Sequence, residues 1–209
     1  MWMGLRARSG AIRRDPSLAD KPSLMSMGDF GPTVGLPRIL GLLDRNAVPA
    51  TFFVPGGIAE RHPDPIGEIV SLRHEIAHHG YKHEPPATFG PDEDEGATLD
   101  RASRILAEIT GAPPRGYRSP SWELSEDTLP LLKEQGFVYD SSLMGSDIPY
   151  LTDTPGGEIV EIPVHWSLDD VPYYSWSPVQ GRVSTLASPE TVYDTWKLEF
   201  DGTYREGGA

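Results

Sequence analysis

The feature that most constrains this chain is an alternation of short apolar runs with longer segments of helical period. "TFFVPGG" (51–57) is apolar and rich in strand formers, then closes on Pro55, Gly56 and Gly57, the pattern of a strand buried on both faces that ends at a loop. Before it, "PRILGLLDRNAV" sets Ile39, Leu40, Leu42 and Leu43 on one helical stripe, with Pro37 suited to a first turn. After it the pattern predicts a helix near 63–73, a strand at "HEIAHHG" (74–80), and a helix near 92–110 whose acidic opening, "PDEDE", suits a helix N-terminus. "SEDTLPLLKEQG" predicts a helix capped by Ser125, kinked at Pro130 and stopped at Gly136, and "FVYDSS" (137–142) the strand that follows. "EIVEIPV" (158–164) is a further strand. An aromatic, proline-rich loop then runs from His165 to about Ala187, and Ser188 and Pro189 open a last helix. Strands separated by helices of this length imply an α/β fold with a mostly parallel sheet. About five strands are too few to close an eight-stranded barrel, so the sheet is either open or part of an incomplete barrel.

The chain has 209 residues, enough for one sizeable domain, and its 38% hydrophobic and 23% charged content suits a packed core rather than a disordered segment. Eighteen basic against 31 acidic residues leave a net charge of -13, which disfavours nucleic acid and anionic membranes as partners. With no cysteine, disulfides and thiolate metal sites are excluded, and any transition metal has to be held by imidazole and carboxylate. No apolar run approaches the roughly 18 residues that cross a bilayer, so a soluble chain is expected. The opening "MWMGLRARSGAIRR" carries four arginines without an apolar stretch after them, unlike a secretory signal, which points to the cytoplasm. It has no clear period either. Residues 1–28 are expected to form a poorly ordered segment and 29–209 the domain.

Four of the six histidines fall between His74 and His83. The strand "HEIAHHG" delivers them to the carboxyl end of a parallel sheet, where such sheets carry their ligand sites. His79 and His83 are four apart. If the chain turns helically there, both can present a nitrogen about 2.1 Å from one Zn²⁺. The rival role is hydrogen bonding to backbone groups, and that is the role expected of His74 and His78. A zincin is excluded, because "HHGYKH" lacks the glutamate that H-E-x-x-H places after its first histidine.

Taken in order and spacing, "TFFVPGG", "HEIAHHGYKHE", "GYRSPSWELS", "FVYDSSLMG" and "VEIPVHWSLDD" resemble the polysaccharide deacetylases with a NodB-type domain, over about residues 20–209. The similarity is greatest to the branch of peptidoglycan-deacetylase-like and allantoinase-like amidohydrolases. The resemblance implies a distorted (β/α) barrel, a divalent metal, usually zinc, held by one aspartate and two histidines, and hydrolysis of an amide, acetamido or cyclic imide bond. His79 and His83 match the histidine ligands. Arg118 matches the arginine that orients the catalytic base, with a surface ion pair as its rival role. Tyr81, Trp122 and Trp166 match positions on the substrate side, where aromatic faces pack on a sugar or imide ring; core packing is the alternative. Asp140, Asp169 and Asp170 stand at strand ends, where they can tune the site or simply cap turns.

The chain departs from that family at both ends. The family's first strand ends in an aspartate-rich segment that supplies the third metal ligand and the base, and no such strand precedes "TFFVPGG". Asp15, Asp20 and Asp29 belong to the loop that follows it. A last βα unit bearing a histidine is missing as well. The expectation is therefore an incomplete NodB-type barrel, lacking its first strand and last βα elements, either a fragment or a shortened relative. Each absent proton-transfer group is worth roughly 10² to 10⁴ in rate, so impaired activity is expected. A non-catalytic protein that binds a carbohydrate or small molecule is the alternative. N-acetylated sugars, peptidoglycan, cyclic imides and ureides all suit the chemistry, a cytoplasmic location favours the small imides, and a homo-oligomer is compatible with every reading.

Overall fold

The computed structural model describes residues 22–90, 92–174 and 186–207. The chain divides into two compact units, Asn46–Val164 and a second made of Met1–Arg45 with His165–Ala209.

The Asn46–Val164 unit is an α/β layer structure. Its strands are β1 (Thr51–Val54), β2 (Glu75–His78), β3 (Gly116–Tyr117), β4 (Tyr139–Asp140), β5 (Tyr150–Thr152) and β6 (Ile159–Glu161). They line up in the order β1-β2-β3-β4-β6-β5. Every neighbouring pair is parallel except β5 with β6. Among the described residues no strand precedes β1, and the sheet does not close on itself. Six strands stand where five were expected. Two lie outside the runs named above: β3 is two residues long, and β5 is three residues long and pairs with β6 through a tight turn in which Thr154 and Gly157 exchange backbone hydrogen bonds. So short a segment carries too few residues for a period-2 pattern to register in the sequence.

The α-helices of this unit are Gly56–Ala59, Pro63–Ser71, Glu95–Thr110 and Thr128–Glu134. The long helix Glu95–Thr110 begins where Asp94 accepts the Ala97 N–H at 2.8 Å and ends at Gly111, whose φ of 84° only glycine adopts without strain. Thr128–Glu134 starts two residues later than a cap at Ser125 would place it. The Ser125 and Thr128 hydroxyls both donate to the Glu95 carboxylate, at 2.5 and 2.6 Å, while the Ser125 oxygen accepts the Asp127 N–H at 3.1 Å, so Ser125 closes the turn that precedes the helix. Pro130 is the third residue of that helix, where its missing N–H has no acceptor inside the helix, and no kink arises there. The core lies between these helices and the sheet: Leu99, Tyr117, Leu132, Phe137 and Ile159 are all buried together.

The second unit contains the helices Pro22–Phe30 and Leu36–Asn46, joined by a π-helical turn at Gly31–Gly35, and the helix Pro189–Glu206. Ser188 caps the last of these by accepting the Thr191 N–H, as expected. Residues 22–28, expected to belong to a poorly ordered segment, instead lie in the helix Pro22–Phe30. Pro22 supplies the preset φ of a first turn, and the serines, leucine and methionines after it tolerate helix. Residues 1–21 lie outside the described residues, as does 175–185 of the proline-rich loop. Among the described residues no helix is long and apolar enough to cross a membrane.

Candidate active site

The site is built where β2 ends. Strand β2 runs parallel to β1 with Val54 opposite His78, and the pairing continues past both strands, Gly56 N–H donating to Gly80 C=O at 2.9 Å and Gly57 N–H to Tyr81 C=O at 2.8 Å. The backbone from His79 to Tyr81 is thereby pinned to the loop after β1. Gly80 then takes a φ of 70° and His83 a φ of 66°, and the segment is a sequence of bends, not a helical turn. The imidazoles of His79 and His83 meet all the same, with ring centroids 4.8 Å apart and planes at 76°. The pairing expected of a helical turn is achieved by a left-handed kink instead. Two imidazoles bound at about 2.1 Å to one tetrahedral ion place their centroids roughly 5 Å apart, so this spacing fits a shared zinc. Among the described residues no group of three or more His, Cys, Asp or Glu side chains suits a metal, so these two imidazoles fit two positions of such a site and no third side chain joins them.

The chemistry of His79 favours ligation. Its Nδ1–H donates to the Arg118 carbonyl at 2.6 Å, which leaves Nε2 with an unprotonated lone pair. Burial, with the neighbouring His83 adding to it, pushes its pKa down to about 3, so no proton has to leave the ring near neutrality. His78, by contrast, is fully buried between Tyr117 and Phe137. Its Nε2 meets the Leu99 carbonyl at 3.2 Å, and its Nδ1 accepts the Gly80 N–H at 3.1 Å. His74 accepts the Ala50 N–H and lies against Phe52. Both have the structural role expected of them.

Arg118 follows β3. Its guanidinium lies 4.2 Å over the Phe53 ring, with Nε donating to the Ser141 carbonyl at 2.9 Å and Nη2 to the Ser141 hydroxyl at 2.6 Å. One residue therefore touches the first histidine with its carbonyl and the end of β4 with its side chain. Ser121 and Trp122, three and four residues on, both have positive φ, 64° and 60°. Such conformations cost on the order of 1 kcal/mol or more each and cluster at functional sites. They hold the half-buried Trp122 beside the Arg118 turn.

Tyr81, expected on the substrate side, is buried, donates its hydroxyl to Glu60 at 2.7 Å and lies 4.0 Å under the Arg101 guanidinium. These contacts occupy its hydroxyl and one ring face. Asp140 is fully buried at the end of β4. Its Oδ1 accepts from the Ser142 hydroxyl at 2.8 Å and its Oδ2 from the Ser142 N–H at 3.2 Å. Burial, and behind it the Glu161 carboxyl, holds its pKa well above the usual carboxylate range. Trp166 and Asp170 belong to the other compact unit. Trp166 is 40% exposed in the turn Trp166–Leu168, and the Asp170 carbonyl accepts the Tyr173 and Tyr174 N–H groups, starting a short helix. Asp169 likewise caps that turn, accepting the Val171 N–H at 2.6 Å.

Ser119, Ser141, Ser142 and Glu161 were not singled out by the sequence. Two signals pointed to them. Ser119 directly follows an arginine and the pair Ser141–Ser142 an aspartate at strand ends, and Glu161 stands two residues after Ile159, on the buried parity of β6.

The raised pKa of Asp140 has a measurable consequence. In the folded chain it holds its proton to higher pH than in the unfolded chain, so this stabilisation is complete below about pH 4 and is lost as pH rises through the elevated folded value. Asp140→Asn cannot titrate. The stability of the parent chain relative to this variant is therefore expected to fall between pH 5 and pH 9 in paired urea titrations; a constant difference would contradict the assignment.

The profile of the polysaccharide deacetylase family matches residues 18–139. The peptidoglycan deacetylase of Helicobacter pylori is 33% identical over 211 residues, covering 90% of this chain and 72% of that protein. A crystal structure from Mycobacterium smegmatis, of a protein assigned to the polysaccharide deacetylases, superposes with a TM-score of 0.87 at 45% identity, covering 98% of this chain and 71% of that one. The structure of Puue allantoinase superposes with a TM-score of 0.77 at 30% identity, covering 90% of this chain and 60% of that one. The segments from β1 to β6 thus recur, on the same sheet, in proteins with such names, and the chain belongs to the polysaccharide deacetylase family, hydrolases of C–N bonds other than peptide bonds.

Proposed function

We propose that this chain binds a divalent metal, most readily Zn²⁺, through His79 and His83 and acts on the C–N bond of an N-acetylated carbohydrate. The observation that carries the proposal is the 4.8 Å approach of the two imidazoles together with the Nδ1–H of His79 spent on the Arg118 carbonyl, which aims the bare Nε2 away from the backbone. Bound there, the metal supplies Lewis-acid polarisation of an amide carbonyl and of an attacking water. The residues of the chain do the rest. His79 stays neutral without a proton having to be removed, because burial holds its pKa at about 3. Arg118, anchored on Ser141 and Phe53, holds a fixed positive charge next to the first ligand, where it can orient an anionic group. Trp122 offers an aromatic face for a sugar ring. The relative named as a peptidoglycan deacetylase favours an N-acetylated sugar over an imide.

A second reading, a carbohydrate-binding protein with impaired hydrolysis, is favoured by the absence of a third ligating side chain among the described residues. One experiment addresses both. The chain loaded with zinc is assayed for metal stoichiometry, for acetate release from N-acetylglucosamine oligomers and for ring opening of allantoin. One equivalent of zinc with acetate release supports the first reading. Zinc and oligosaccharide binding without acetate release supports the second, and failure to bind any divalent metal overturns the metal site itself.

A further inference from the structure

Two carboxyls that the proposed chemistry does not use lie buried on adjacent parallel strands. Asp140 ends β4 and Glu161 ends β6, in register with one another, and both side chains are fully buried. Around them the turn after β4 is closed by a set of hydrogen bonds. Glu161 Oε1 accepts the N–H groups of Ser142 and Leu143, each at 3.0 Å, while Asp140 Oδ1 accepts the Ser142 hydroxyl. That hydroxyl has a second duty, since its oxygen accepts the Ser119 N–H at 2.9 Å. The Ser119 N–H belongs to the same peptide group as the Arg118 carbonyl, and the Arg118 carbonyl accepts the Nδ1–H of His79. A peptide group is planar and rigid, so holding its N–H fixes the direction of its C=O. The two ends of this one peptide thus connect the Asp140 carboxyl to the imidazole by an unbroken path of carboxyl, serine hydroxyl, peptide and ring, with Glu161 holding the Ser142 backbone in place beside it.

We propose that Ser142, with Asp140 and Glu161 behind it, is a positioning residue that sets the tautomer and the aim of His79 through the Arg118–Ser119 peptide. The inference rests on the reading of His79 as a metal ligand for its functional meaning, but not for its physical content, because the path exists without metal. Its logic is that of outer-shell partners in metal sites, which fix the orientation of an imidazole by holding its second nitrogen. Here the holder is a backbone carbonyl, which cannot be chosen by sequence. What the sequence can choose is the group that holds the peptide. Hydrogen bonds in series polarise one another, so a carboxyl at the far end strengthens the acceptor at the near end. The raised pKa of Asp140 agrees with a neutral carboxyl facing a second one across the strand pair.

The test uses the metal-free chain first. Long-range ¹H–¹⁵N correlation, with the His79 resonances assigned by their loss in His79→Ala, is expected to show His79 as a single Nδ1–H tautomer. Ser142→Ala is expected to turn it into a mixture of tautomers and to weaken zinc binding about tenfold, the lower end of the 10- to 100-fold range for outer-shell partners, because the effect passes through one more bond. Ser142→Thr, which restores a hydroxyl, is expected to restore both readings. Glu161→Gln should act in the same direction as Ser142→Ala. A folded Ser142→Ala with an unchanged His79 tautomer and unchanged zinc affinity overturns the proposal. Should that variant not fold, Ser142→Cys, which keeps the size and weakens the donor, is measured in the same two ways: mixed tautomers with weaker zinc binding support the proposal, and no change in either overturns it. If the parent chain binds no zinc, the proposed function fails, while the tautomer measurement still decides this inference.

Discussion

Zinc affinity is expected to fall by more than about 100-fold when His79 is replaced by alanine. The magnitude follows from a ladder of effects: loss of an outer-shell partner costs 10- to 100-fold, and loss of a ligand itself has to exceed that. His79 is also the better prepared of the two imidazoles, since its Nδ1–H is fixed by the Arg118 carbonyl and burial keeps it neutral. His83→Ala should give a loss of similar size, because its positive φ is a local cost that the turn carries in order to face the ring toward His79. His62→Ala serves as the control. That side chain is exposed and makes no capping hydrogen bond at the helix it precedes, so zinc affinity should not change. Competition against a chromophoric chelator measures all three, and equal affinity in His79→Ala and parent would remove the basis for a metal at this position.

The largest effect on stability is expected from Gly56→Ala. A Cβ on Gly56 would stand 2.6 Å from the Ala102 Cβ and 2.7 Å from the Ala102 Cα, with the Tyr81 ring 3.3 Å away. The obstructing atoms are the Cα and Cβ of Ala102, a buried residue of the helix Glu95–Thr110, so no rotamer change relieves them. Overpacking in a closed site costs about 3 kcal/mol and can exceed that. The damage should spread to the site as well, because the Gly56 N–H holds the Gly80 carbonyl, one residue after His79. Gly67→Ala is the counterpart. It lies in the helix Pro63–Ser71 with nothing within 4 Å of its would-be Cβ, and the substitution should stabilise by about 0.5–1 kcal/mol through reduced backbone freedom. Urea midpoints of opposite sign for these two variants are the expected outcome; a neutral Gly56→Ala would show that the contact with Ala102 relaxes easily.

Much of the fold was legible because short apolar runs alternate with longer segments of helical period. The run "TFFV" and the stretch "EIAH" each became a strand, β2 buried from Ile76 to His78, whereas β1, at the edge of the sheet, is fully buried only at Val54 and not on both faces as expected. Elements settled by a neighbour were not legible. Ser125 has every property of a cap, yet its oxygen accepts the Asp127 N–H of a preceding turn, its O–H goes to Glu95, thirty residues earlier, and the helix starts at Thr128. Strand β5 exists because β6 offers it an edge, not because three residues have a strong preference of their own.

At the site the division falls along the same line. The sequence alone determined that any transition metal here would have to be held by imidazole and carboxylate, since there is no cysteine, and it pointed to His79 and His83, on a strand that ends at the carboxyl edge of a parallel sheet, as the pair to propose for it. Spacing suggested a helical turn between them, but the pinning of Gly80 and Tyr81 by Gly56 and Gly57 imposed a left-handed kink instead. Only the tertiary structure decided which nitrogen of His79 is bare and that Tyr81 belongs to Glu60. It alone joined Asp140 and Glu161 to the imidazole through Ser142 and one peptide. Hydrogen bonds between residues 20 to 40 positions apart depend on strand register and on the direction of single carbonyls, and neither quantity is written in the residue types themselves.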